Sequence, residues 1–326
     1  MAEIEAEVST EICGIRFPSA VMNAAGAKDV SADDLEALGQ SEAGAIVIKT
    51  TTKTFRAGND LPRWHANALG SVNSMGLPNL GIERYVKLVP VLRRWNKPLV
   101  ASVSGIEEGD NEEMIAAYDK AGVDLVEVNL SCPNLAGKGQ LGYDFDASRK
   151  MLAGCRKRTK RPMGAKLPPY FDGFQFEQMA AVLKETGADF VVTINSVGNT
   201  LIIDPEKEEK VIAPNGGFGG LGGSYVKPIS LANVHKFSQM LELPVIGVGG
   251  VSSGVDAFEH LLAGASAVGV GTALVNEGPA VFTRLNAELR TVLEEHGYAE
   301  PAAARGKLKD KAGASAEKAA PATQAR

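Results

Sequence analysis

The sequence predicts an α/β protein, a single (β/α)8 TIM barrel with an N-terminal hairpin and long loops over the C-terminal face. Three observations carry this. Eight short apolar runs alternate with segments patterned at helical spacing, and alternating βα units imply a parallel sheet that eight of them can close. No break in composition marks a second domain within the 326 residues. Nearly every apolar run ends on a polar residue or a glycine, as barrel strands do where they reach an active-site rim. The competing arrangement is an open, doubly wound sheet.

Residues 1–17 read as an entry hairpin, with Gly14 as the turn in Cys13-Gly14-Ile-Arg-Phe17. The run Ala20–Gly26 is the first strand, and Ser31 with Asp33 and Asp34 opens a helix as an N-cap. Ala43–Thr50 is apolar without alternation, as strands covered on both faces are. Residues 51–80 form a segment too long for an ordinary βα loop, which marks it as functional. A helix follows over 81–95, with Ile82, Tyr85, Leu88, Val89 and Leu92 on one face. Strands are then expected at Pro98–Ser104, Asp124–Val128, Met163–Leu167, Phe190–Ser196, Val245–Gly250 and Ala267–Thr272. Helices are expected at 107–121, 146–160, 174–187, 229–241, 253–264 and 279–296. A glycine-rich insertion separates Ser196 from about residue 227. Residues 1–307 make up the barrel, and 308–326 form a low-complexity tail expected to be disordered.

Composition narrows the function. Apolar residues make up 44% and charged residues 22%, as in ordinary globular proteins. A formal charge of -5 gives no electrostatic reason for nucleic-acid binding. Three cysteines in so long a chain argue against a disulfide framework and for a reducing compartment. The four histidines show no metal-ligand spacing, so no metal site is expected. The acidic N-terminus lacks an apolar signal core, and no run of about 18 apolar residues suggests a membrane span. A cytoplasmic protein without a membrane partner is the expectation.

The strand ends collect the candidate chemistry. Core packing alone does not put Lys49 and Lys166 at the ends of two buried strands, although lysines snorkelling to the rim would look the same. Gly249-Gly250 and Gly271-Thr272 close the last two strands, where barrels often cradle phosphate on backbone N–H groups. No G-x-G-x-x-G follows the first strand, so a Rossmann dinucleotide site has no support. Cys132 sits in Asn129-Leu-Ser-Cys-Pro-Asn134, where Pro133 stops the strand ladder. It could be a nucleophile, a base or a small buried hydrophobe. With no histidine nearby in sequence, a base fits better than a nucleophile, since a thiol pKa of ~8.5 needs only a modest shift. Cys13 and Cys155 read as structural, and His260 and His296 as ordinary helix residues.

Taken together, these motifs resemble the dihydroorotate dehydrogenase family. The resemblance rests on Asn129–Asn134 with Gly137-Lys138 and Tyr143-Asp-Phe145, on Asn73-Ser-Met-Gly-Leu-Pro-Asn79, and on Ala165-Lys-Leu-Pro-Pro-Tyr-Phe-Asp172. Ile194-Asn-Ser-Val-Gly-Asn199, Gly217–Gly223, Asp256-Ala-Phe-Glu-His260 and Gly271-Thr-Ala-Leu274 extend it over roughly residues 8–308. It runs to class 1A, the cytosolic, homodimeric branch that uses fumarate. The resemblance implies an FMN-dependent barrel oxidising dihydroorotate to orotate in pyrimidine synthesis, with fumarate reduced to succinate.

It implies that Cys132 removes the C5 proton while hydride leaves C6. Lys49, Asn73, Met75, Gly76, Leu77, Asn129, Asn134, Asn195 and Ser196 match substrate-holding positions. Ala25, Gly26, Lys49, Thr50, Asn129, Lys166, Ile194, Gly222, Gly223, Gly249, Gly250, Gly271 and Thr272 match flavin and phosphate contacts, with Lys166 stabilising the reduced ring. Another FMN barrel reductase and a non-enzymatic phosphate-binding barrel are the competing readings. The membrane-associated class uses serine as base, whereas this chain has Cys132. Gly139, Gly142 and Gly269 depart from the family pattern, and the first two are expected to soften the loop after Cys132.

Overall fold

The computed structural model describes residues 5–131 and 139–311. The chain begins with the hairpin β1 (Thr10–Ile12) and β2 (Ile15–Phe17). Its two-residue turn is tight because Cys13 and Gly14 both take positive φ, 53° and 75°. There follow β3 (Val21–Asn23), α1 (Ala32–Gln40), β4 (Ile46–Thr51), β5 (Trp64–Asn67), β6 (Gly70–Asn73), α2 (Ile82–Leu92), β7 (Leu99–Val103), α3 (Asp110–Ala121), β8 (Leu125–Asn129) and α4 (Phe145–Arg156). The second half contains β9 (Met163–Leu167), α5 (Gly173–Glu185), β10 (Phe190–Thr193), β11 (Val197–Thr200), β12 (Ile203–Asp204), β13 (Glu209–Lys210), β14 (Gly219–Gly223) and α6 (Lys227–Met240). The chain then runs through β15 (Val245–Val248), α7 (Gly254–Ala263), β16 (Ala267–Val270), α8 (Thr272–Glu277), α9 (Val281–Glu295) and α10 (Pro301–Ala304). The helix expected at 279–296 is α9, and a short additional helix, α8, starts directly after β16. The strand expected to reach Ser196 stops at Thr193.

Eight parallel strands form one sheet in the order β3-β16-β15-β10-β9-β8-β7-β4. The seam between β3 and β4 closes without a regular ladder. Gly44 N–H donates to Val21 O at 2.8 Å. The Asn23 carboxamide supplies the next rung, donating to Val47 O at 2.8 Å and accepting from Val47 N at 2.9 Å. Gly44 is needed there because a Cβ would lie 1.9 Å from Ser19 O. The barrel therefore replaces the open-sheet alternative, and one side chain stands in for a strand pair. Asn23→Ala leaves a buried N–H and a buried C=O without partners, which costs on the order of 3 kcal/mol. The expected result is a lower urea midpoint at constant m-value; an unchanged midpoint would mean the backbone contact at Gly44 holds the seam alone.

Alternation along the strands makes two cores. Ile12 and Phe17 of the hairpin cap the barrel floor and pack with Met22, Val47, Val100, Leu125, Phe190, Val192 and Ile246 inside it. The outward residues, such as Ile46, Ile48, Val126 and Val128, pack against the helices. Helix entry follows local chemistry: Ser31 and Asp34 form a capping box on α1, and Asp144, Asp172 and Ser253 cap α4, α5 and α7.

The two long segments that sequence treats separately fold together. β5 and β6 from residues 51–80 join β11 and β14 from the glycine-rich insertion in a four-stranded antiparallel sheet, ordered β11-β14-β6-β5. This sheet stands at the C-terminal mouth of the barrel and forms one wall of the pocket described below. At the other end of the chain, Gly306 N and Leu308 N donate to Leu261 O and Leu262 O, so the backbone stays on α7 through Leu308.

Candidate active site

The C-terminal ends of the barrel strands and the four-stranded sheet enclose a cavity of about 280 Å³. From the β3 end come Ala25 and Gly26; from β4, Lys49 and Thr50; from β8, Asn129; from β9, Lys166. Ile194, Asn195 and Ser196 follow β10, Gly249 and Gly250 follow β15, and Gly271 and Thr272 follow β16. The capping sheet and its flanks add Asn73, Met75, Leu77, Gly222 and Gly223. The residues singled out from sequence thus converge on one cavity, with three exceptions. Cys132 and Asn134 lie outside the described residues, and Gly76 is not part of the wall. Gly76 takes φ 72°, and a Cβ there would meet Asn59 Oδ1 at 2.2 Å, so it serves the turn that presents Met75 and Leu77.

Both lysines are buried, Lys49 at 4% and Lys166 at 3% exposure, and they do not snorkel to solvent. Lys166 Nζ donates to Ala25 O at 3.0 Å. Lys49 Nζ lies beside Gly26, 3.4 Å from where a Cβ would be. Gly26 N–H donates to Asp29 Oδ2 at 2.6 Å. Beneath the cavity a chain of hydroxyls runs inward: Asn129 Nδ2 donates to Thr50 Oγ1 at 3.3 Å, the Thr50 and Ser102 hydroxyls lie 2.9 Å apart, and Ser102 Oγ donates to Glu127 Oε1 at 2.7 Å.

Asn129 and Asn195 also fix the chain at the start of the segment that carries Cys132. Asn129 Oδ1 accepts from Ser131 N and Ser131 Oγ, both at 3.0 Å. Asn195 Nδ2 donates to Ser131 O and Oγ, both at 2.9 Å. On the far side of that segment, Gly142 N donates to Leu130 O at 2.7 Å, and Tyr170 OH donates to Gly142 O at 2.6 Å. Gly142 therefore does not soften this end: it is buried and held at both its N–H and C=O, and a Cβ would lie 2.5 Å from Pro168 Cδ. A Cβ at Gly139 would meet no atom within 4 Å, so that position carries no such constraint.

The other expectations resolve by contact. Cys13 Sγ donates to Asp189 O at 3.4 Å, and burial pushes its pKa to about 11. Burial takes Cys155 to about 12. Both thiols stay protonated near neutrality, as structural residues. His260 is fully buried, with Nδ1 2.8 Å from Asp256 O and Nε2 3.0 Å from Ser230 Oγ. The capping sheet requires glycine at 223, since a Cβ there would sit 2.4 Å from Gly70 Cα.

Several wall residues were not singled out from sequence. Trp64, Leu69 and Ser71 enter only because β5 and β6 fold over the mouth. Behind the wall are two acids: Glu127 has a signal in the sequence, a carboxylate inside an otherwise apolar strand. Asp29 has none, because nothing in Ala27-Lys-Asp-Val30 distinguishes it from a surface loop.

Fold and site define a barrel of the ligand-binding kind, with buried cations and glycine-rimmed strand ends facing one deep pocket. The family described as dihydroorotate dehydrogenase matches residues 7–293. The dihydroorotate dehydrogenase A (fumarate) of Lactococcus lactis subsp. cremoris is 44% identical over 308 residues, 93% of this chain and 99% of the relative. A probable dihydroorotate dehydrogenase A (fumarate) of Enterococcus faecalis is 45% identical over 310 residues, 93% and 99% of the two chains. The crystal structure of an Eimeria tenella DHODH in complex with ferulenol superposes with a TM-score of 0.78 at 23% identity, covering 94% of this chain and 89% of that one, a likeness of fold. The chain belongs to the dihydroorotate dehydrogenase family, in its class 1A branch. Among the described residues no helix is long and apolar enough to cross a membrane, and no His, Cys, Asp and Glu cluster suits a metal ion.

Proposed function

We propose that the protein oxidises (S)-dihydroorotate to orotate in de novo pyrimidine biosynthesis, with FMN as cofactor and fumarate as the final acceptor. The observation that carries this reading is the placement of two buried lysines, Lys49 and Lys166, at the ends of separate strands facing one glycine-rimmed pocket. Such a site suits ligands that are flat, anionic and phosphate-bearing. The names of the Lactococcus and Enterococcus relatives supply the substrate and acceptor.

The residues present fit FMN. Gly249 and Gly250 take φ 133° and 79°, conformations that L side chains rarely adopt, and a Cβ at Gly271 would meet no atom within 4 Å. These strand ends, with Thr272, Gly222 and Gly223, would hold the phosphate and its chain. Ala25, Gly26, Thr50, Asn129, Ile194 and the two lysines would border the ring. FMN supplies the two-electron acceptor that amino-acid side chains lack. The chain's own residues do the rest. Asn73, Asn129, Asn195 and Ser196, with Asn134, read the amide edges of the substrate, while Met75 and Leu77, presented by the turn at Gly76, shape the wall beside them. Lys49 meets its carboxylate, and Cys132 takes the C5 proton. Lys166 stabilises negative charge as the substrate is oxidised. Fumarate, a small dicarboxylate, uses the same cations in the second half of the cycle.

Residues 1–307 form the catalytic unit in this reading, and 308–326 are a tail outside it. The protein works as a cytoplasmic homodimer, in keeping with the class. The test is anaerobic. Dihydroorotate should bleach the yellow protein, and fumarate should restore the colour where NAD and quinone do not. Protein that cannot be loaded with FMN overturns the flavoenzyme reading. Recovery only with NAD or quinone overturns the acceptor.

A further inference from the structure

One buried acid sits among the groups just described without a place in the mechanism. Asp29 is completely buried in the loop between β3 and α1. Its Oδ2 accepts from Gly26 N at 2.6 Å, and its Oδ1 has no hydrogen-bond partner among the described residues. The Ala25–Gly26 peptide is therefore gripped at both poles: Lys166 holds the C=O of Ala25, and Asp29 holds the N–H of Gly26. Gly26 takes φ 121°, so this peptide keeps an orientation that a side chain at 26 would oppose, and both residues line the pocket.

We propose that Asp29 is a positioning residue that pins the Ala25–Gly26 peptide in the pocket wall and offsets the positive charge Lys49 and Lys166 present to an anionic ligand there. This rests on the function proposed above. Lys49 on β4 and Lys166 on β9 both act on Asp29 by their charge, Asp34 on α1 opposes its ionisation, and the Tyr85 hydroxyl on α2 lies near enough to feel it. Burial dominates this balance and raises the carboxyl from 3.8 to about 6 despite the lysines. Above that value Asp29 carries a negative charge and draws on the same cations that a reduced, anionic ring needs. Below it the carboxyl is neutral and the lysines act undiluted. Adding negative charge to the pocket raises the proton affinity of Asp29 further, so reduction of the bound cofactor should draw a proton onto it above about pH 6.

Redox titration of the FMN-loaded enzyme from pH 5 to 8 tests this, with Asp29→Asn, which keeps an acceptor for Gly26 N–H without the charge. At pH 8 the variant should be easier to reduce, by about tenfold in the equilibrium ratio, or about 30 mV for a two-electron couple. The two proteins should converge near pH 5, and the variant should lose the extra pH dependence between. If Asp29→Asn does not fold, Asp29→Ser offers the same neutral acceptor. Superimposed potentials at every pH, with FMN bound, overturn this inference alone and leave Asp29 a purely structural residue. Wild-type protein that takes no FMN removes the function and this inference together.

Discussion

Replacing Cys132 with alanine should lower the rate of flavin reduction by dihydroorotate about 10²–10⁴-fold, the usual cost of removing a general base, the role proposed for it. FMN binding should be nearly unchanged, because every group assigned to the cofactor except Asn129 comes from other strand ends or from the capping sheet. Ser131, one residue before it, is fixed by the carboxamides of Asn129 and Asn195, and both of these face the cavity. Gly142 is tied back to Leu130 and Tyr170 on the other side. The described residues that flank Cys132 in sequence are thus held on both sides, and two of the side chains that hold them line the pocket. The other two cysteines offer no substitute, since burial holds Cys13 and Cys155 well above neutrality. Anaerobic stopped-flow reduction of Cys132→Ala measures the effect directly. A variant reduced at the wild-type rate would move the base to another residue.

How much of this was readable in the sequence depended on distance along the chain. Lys49 and Lys166 were legible because each contrasts with its own strand: a charged residue closing an apolar run has few reasons to be there. Gly249-Gly250 and Gly271-Thr272 were legible for the same local reason. Asn23 was not, because a carboxamide ending a short strand looks like any polar rim residue until β4 comes alongside and leaves Val47 needing a donor and an acceptor. The capping sheet was hidden by its own construction. β6 and β14 lie far apart in sequence, and β14 is almost all glycine, with no strand propensity to betray it. Gly142 misled for a related reason. As a loop residue its glycine suggests softness, whereas its close contact is with Pro168, which only the fold brings near. Asp29 is the extreme case, since its burial and its two lysine neighbours are all products of barrel closure.

Lys166→Met should weaken FMN binding at least tenfold and slow reduction of the bound flavin by roughly 10²–10³-fold, the range for losing one preorganised charge-stabilising donor. The methionine roughly conserves length and volume, so the loss reports charge and hydrogen bonding more than packing. Two effects add. The anionic product of reduction loses a cation held in place by burial and by Ala25 O, in surroundings where water screens little. The Ala25–Gly26 peptide also loses one of its two grips, and Asp29 loses one of the lysines that favour its ionised form. The second effect gives this variant a signature that a simple defect in binding would lack. With one lysine gone, the Asp29 carboxyl should hold its proton to higher pH, so the pH dependence of the flavin potential should move upward rather than disappear. Fluorescence titration of the apoprotein with FMN gives the affinity, and redox titration across pH gives the shift. Weaker binding with an unmoved pH profile would place Lys166 at the cofactor but uncouple it from Asp29; unchanged binding and potential would mean that the cation serving the ring is Lys49 alone.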